Sequence, residues 1–100
     1  MSSPPQETET HDVELSREER WVVHDVLVTR ADDALEDRDA PPAWMLESLE
    51  TIESGDETFT AYQTSKLHDV LAAYTNAAET PRRDVPIAHA VVDRLADLDD

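Results

Sequence analysis

Cysteine is absent from this 100-residue chain. Disulfides, thiolate catalysis and cysteine zinc sites are therefore excluded, and the composition fits a reducing compartment. Glycine occurs once, at Gly55. A single glycine cannot build a P-loop or a dinucleotide fingerprint. It also leaves little room for tight glycine hairpins, so an all-β fold is not expected. No apolar run approaches the ~18 residues of a membrane span. Residues 1–10 have neither the basic start nor the apolar stretch of a signal peptide. The expectation is a soluble, cytoplasmic protein that does not contact a membrane. Lysine also occurs once, at Lys66, beside seven arginines.

Carboxylates are in excess. Asp and Glu number 24 against 8 Lys and Arg, giving a formal charge of −16. A small domain normally stays within about ±8, and self-repulsion of this size strains a compact fold in ordinary buffer. An acidic partner-binding tail would concentrate the acids in one block. Here they spread over every segment: Glu18 and Glu19, Asp32 and Asp33, Glu47 and Glu50, Asp84, Asp93. Dispersal favours adaptation to salt. At 1 M salt the Debye length falls to about 3 Å, and exposed like charges barely repel.

Hydrophobic residues make up 39% of the chain, enough for one modest core. Residues 1–14 are polar, contain Pro4 and Pro5, and show no apolar period. They read as a disordered tail. Residues 15–98 read as one helical domain. Its first helix starts at a capping box, Ser16-Arg17-Glu18-Glu19, and carries Val23, Val26, Leu27, Ala34 and Leu35 before fading into Asp37-Arg38-Asp39. A second helix opens at Pro41-Pro42, shows Met45, Leu46, Leu49 and Ile52, and stops at Gly55. Thr60-Ala61-Tyr62-Gln63 is another capping box, followed by Leu67, Val70, Leu71, Tyr74 and Ala78. Asp84 is placed to cap a fourth helix with Ile87, Ala88, Val91, Val92, Leu95 and Leu98 on one face. The predicted fold class is all-α: four short helices as two αα-hairpins forming a small bundle.

His24-Asp25-Val26-Leu27 recurs as His68-Asp69-Val70-Leu71. The capping boxes align at the same offset, and the second helices align with a two-residue change. A duplicated hairpin explains this; so does the generic likeness of amphipathic hairpins.

Candidate chemistry is sparse. A di-metal bundle needs Glu-x-x-His pairs, and the residues three before His24, His68 and His89 are Trp21, Ser65 and Pro86. His89 and Asp93 stand at i, i+4 and can pair. No Gly-x-Ser-x-Gly is present, and Ser16 is explained as a cap. No catalytic, metal or cofactor residue is predicted, and no cofactor is expected. Arg82-Arg83 is the only basic cluster. With the fourth helix it supports a helical DNA-binding or transcription-associated protein, the alternative function. Trp21 and Trp44 sit near helix starts, where they either cover the ends of the bundle or anchor a partner.

The stretch Leu15-Ser16-Arg17-Glu18-Glu19-Arg20-Trp21-Val22-Val23-His24, with Phe59-Thr60-Ala61-Tyr62-Gln63, Leu67, Leu71 and Tyr74, and then Thr80-Pro81-Arg82-Arg83-Asp84, resembles a group of small haloarchaeal helical proteins of unknown function. The resemblance spans about residues 15–98. It implies a salt-rich cytoplasm and carries over no active site, cofactor or substrate. The leading expectation is a non-catalytic interaction module that binds an unidentified protein or a second copy of itself. Its candidate interaction residues are Trp21, Trp44, Arg82 and Arg83.

Overall fold

A computed structural model of the protein describes residues 9–98. Its elements run β1 Thr10–Asp12, α1 Arg17–Glu36, α2 Ala43–Glu53, β2 Thr58–Thr60, α3 Ala61–Asn76 and α4 Asp84–Asp97. The four expected helices are present. Consecutive helices pack as hairpins, most extensively α3 on α4; α1 also packs on α4, and α2 on α3, closing the bundle.

Local chemistry sets the helix ends. Ser16 Oγ accepts from Glu19 N–H at 3.1 Å, and Glu19 Oε1 accepts from Ser16 N–H at 2.8 Å. Thr60 and Gln63 repeat this reciprocal pair at 3.0 and 2.9 Å. Two backbone donors that a helix start leaves orphaned are thereby satisfied at each site. Helix α2 begins after Pro42 without a side-chain cap. It ends in a Schellman motif: Gly55 N–H donates to Ile52 O, and Asp56 N–H to Thr51 O. Gly55 takes the left-handed conformation the motif requires, at φ +83. Helix α1 ends the same way, with Arg38 N–H on Leu35 O and Asp39 N–H on Ala34 O. Arg38 occupies the left-handed position at φ 63, where a side chain is strained.

Asp84 departs from its expected role. It is the first residue of α4, and the preceding Arg83 makes no side-chain cap. The Asp84 carboxylate instead accepts a 2.7 Å hydrogen bond from the Tyr74 hydroxyl, tying α4 to α3. Burial and this acidic neighbour push the Tyr74 phenol up to about 12.

Order also begins before the expected boundary at residue 15. β1 pairs antiparallel with β2 in the register Thr10↔Thr60, His11↔Phe59, Asp12↔Thr58. Val13 N–H donates to Glu57 O at 2.8 Å, and Val13 and Phe59 are both core residues. One buried valine next to a three-residue strand therefore anchors a segment with no visible apolar period. Most of the predicted tail, residues 1–8, lies outside the described residues.

Val22, Val23, Val26, Leu27, Met45, Ile52, Leu67, Leu71, Ala88, Val91 and Leu95 fill the bundle interior with Val13 and Phe59. The internal likeness is strongest near the helix starts. Val23 and Leu67, Leu27 and Leu71, and Met45 and Val91 are buried alike. Further on, Ile52 is buried while its counterpart Leu98 is partly exposed, and Leu49 and Leu95 show the reverse. Helix lengths also differ, 20 against 16 residues for α1 and α3 and 11 against 14 for α2 and α4.

Candidate functional site

Trp21 and Trp44 have opposite fates. Trp44 is half-buried and packs against the core, so its indole belongs to the fold. Trp21 is 68% exposed. It sits in the first turns of α1, on the side away from Val22, Val23 and Val26. Its ring lies over the His24 imidazole at a centroid distance of 6.5 Å and an interplanar angle of 16°. His24 Nε2 is 2.9 Å from Glu53 Oε2 on α2. A carboxylate only accepts, so Nε2 carries the donated proton. This contact fixes the imidazole, and the fixed ring supports the indole.

Trp21 is the ridge between two depressions. On the α2 side, Arg20, His24, Ile52 and Glu53 line a small apolar hollow of about 290 Å³. On the α4 side, Glu18, Asp25, Pro81, Arg83 and Ile87 line a groove of about 430 Å³. Asp25 also borders a separate groove of about 470 Å³, lined by Thr29, Asp33, Pro42, Met45 and Tyr74 between α1, α2 and α3. Of the four predicted interaction residues, the fold thus brings Trp21 and Arg83 to one groove. Arg82 is exposed nearby in the turn before α4. The Arg83 side chain is 86% exposed, its Nε 3.7 Å from Asp84 Oδ1.

A third region brings charges together for a structural purpose. Arg94 on α4 makes a two-pronged contact with the Glu19 carboxylate, at 2.7 and 3.0 Å, and donates to Glu14 O at 2.6 Å. The Arg94 hydrogen bonds, aided by the Ser16 N–H, outweigh burial and hold the Glu19 carboxyl below the usual glutamate range. Asp12, Glu14, Ser16 and Glu57 surround this pair in an open depression of about 710 Å³. Sequence reasoning leaves Arg94 isolated, because its partner lies 75 residues away. Only the cap role of Glu19 marks one half of the pair in advance.

The other histidines stay at the surface. His89 Nδ1 lies 3.4 Å from Asp93 Oδ2, the expected i, i+4 pair, and His68 Nδ1 lies 3.6 Å from Asp69. Among the described residues, no three His, Asp or Glu side chains converge as metal ligands would. No helix among them is long and apolar enough to cross a membrane.

A family model described as a family of unknown function (DUF7853) matches residues 13–96. The chain belongs to this family. The DUF7853 match opens at Val13, the first core residue among those described, and so takes in the connection from β1 to α1, the first three helices and α4 up to its penultimate residue. No curated protein and no solved structure matches the chain.

Proposed function

We propose that this DUF7853 protein is a non-catalytic protein-interaction module of a haloarchaeal, salt-rich cytoplasm. The exposed Trp21 carries the reading. An exposed aromatic ridge between two hollows suits an interface anchor. The stack on His24 and the His24–Glu53 contact orient the ring in advance, which lowers the entropy cost of docking. Dispersed carboxylates support the salt-rich setting.

Photo-cross-linking tests the module. With p-benzoylphenylalanine in place of Trp21, irradiation in native lysate at molar KCl should give discrete adducts. The same group in place of the exposed His89 should not. Absence of adducts at position 21, or identical adducts from both positions, removes the reading. Duplex DNA binding in molar KCl that is lost in the Arg82→Ala/Arg83→Ala variant would replace it with the nucleic-acid alternative. The salt-rich setting has its own check: helicity by circular dichroism should rise from dilute to molar KCl. An unchanged cooperative fold in dilute buffer rules that setting out.

A further inference from the structure

Helix α1 carries apolar residues on two sides. Val22, Val23, Val26 and Leu27 are buried in the bundle. At about 100° per residue, Trp21, Val28 and Leu35 fall on the opposite side, seven residues apart. Trp21 is 68% and Leu35 61% exposed, and Val28 is half-buried. A seven-residue apolar row stays in line with a second helix laid along it, because slight supercoiling absorbs a drift of about 20° per heptad. From Trp21 to Leu35 the row spans roughly 21 Å, at about 1.5 Å per residue.

A second row follows the same spacing. Glu18, Asp25 and Asp32 are exposed and alternate with the apolar row at steps of three and four. No cation lies within 4.0 Å of their carboxylates among the described residues. The acidic row lies on the α4 side of Trp21, where Glu18 and Asp25 border the groove against Arg83 and Ile87. An apolar strip and a parallel acidic strip thus run together along one helix.

We infer that this face of α1 receives an amphipathic helix of a partner protein, whose apolar edge is flanked on one side by Arg or Lys. The inference rests on the interaction-module reading and names its occupant. Charge decides between candidates. A wholly apolar helix would cover three carboxylates without pairing them, which is costly. An antiparallel second copy centred on Val28 would set like charges together, with Asp25 of each copy near Asp32 of the other. A basic flank satisfies the row and fixes the direction of docking.

The probe is a fluorescein-labelled helical peptide of about three heptads, with Leu at the a and d positions and Arg along one flank. Two controls carry Glu on that flank, or the same number of Arg spread over the polar face. Anisotropy is read with the full chain in 1 M KCl, where long-range attraction is screened to about 3 Å. The Arg-flanked peptide should bind best. Leu35→Ser should weaken it about tenfold, and Asp25→Asn/Asp32→Asn about fivefold. Glu50→Gln/Asp97→Asn removes equal charge elsewhere and should leave binding within about twofold. Equal loss from that off-row pair, equal binding of the scattered-Arg peptide, or no binding overturns the inference. Sedimentation showing self-association that Leu35→Ser abolishes would make the occupant a second copy and also overturn it. If cross-links at position 21 persist while the Arg-flanked peptide fails to bind, the helix occupant falls and the module reading stands. If the peptide binds but position 21 gives no adduct, the module reading fails and the face loses its native occupant with it.

Discussion

Removing the Arg94 guanidinium should destabilise the fold more than any other single change at a charged residue, because Glu19 does two jobs with one carboxylate. Its Oε1 closes the α1 capping box on Ser16 N–H, and both oxygens hold Arg94. Arg94→Met keeps an aliphatic stem and strips the charge. Glu19 then remains 8% exposed with a single backbone donor. Breaking a fully buried pair costs about 3–5 kcal/mol. The Arg94 side chain is 39% exposed, so water softens the loss to about 2 kcal/mol. Glu19→Gln is milder, at about 1 kcal/mol, because glutamine can close the same box, as Gln63 does in α3. The double variant should cost less than the two singles together, with a coupling of about 1 kcal/mol.

Urea melts in molar KCl measure these values. At a slope of about 1–2 kcal/mol per molar, Arg94→Met should lower the midpoint by roughly 1–2 M. The pH dependence gives a second check. The Glu19 carboxyl is held below its unfolded value, so the pair's contribution is complete above the ordinary glutamate pKa of about 4.3. It disappears as pH falls through the lowered folded value. The stability gap between wild type and Arg94→Met should therefore be constant at neutral pH and close in acid. Additive single variants, or a gap that stays constant as acid protonates the carboxylates, would refute the clasp.

Arg38→Gly should stabilise the protein, because glycine adopts the left-handed end of α1 without the ~1 kcal/mol strain of a side chain. After the extra freedom glycine gains when unfolded, about 0.5 kcal/mol remains, a rise of roughly 2–4 °C in Tm. A lower Tm would show that the Arg38 side chain makes a compensating contact. Ser48→Ala should be neutral or stabilising by up to ~1 kcal/mol. The Ser48 hydroxyl is fully buried and has no hydrogen-bond partner among the described residues. Destabilisation in denaturant melts would mean that the hydroxyl is paired.

The fold was legible wherever the governing contacts are local. Both capping boxes and the Gly55 stop depend on residues three to five apart, so sequence spacing locates them directly. Asp84 shows how such reasoning fails. An aspartate two residues before Pro86 has the chemistry of a cap, yet Tyr74, ten residues back, claims its carboxylate. β1 was invisible because a three-residue strand is too short to show a period, and its partner lies across two helices. The Glu19–Arg94 clasp was invisible for the same reason of distance.

The site was legible only in part, for a different reason. Trp21 and Trp44 occupy similar places near helix starts, and residue type alone cannot separate them. The turn of the helix does, since Trp21 lies opposite Val22, Val23 and Val26, while Trp44 adjoins Met45 and the core. The row Trp21–Val28–Leu35 was present in the sequence too, but α1 also carries the buried row on its other side, and two apolar faces on one helix blur into no clear face. Charge misled by the same averaging. Carboxylates are spread over every helix, and their number alone implies no particular spacing. Glu18, Asp25 and Asp32 do keep a spacing, in register with an apolar row that water alone would not favour. The number of acids carries no spacing; the register of Glu18, Asp25 and Asp32 against Trp21, Val28 and Leu35 is the pattern that the proposed partner helix accounts for.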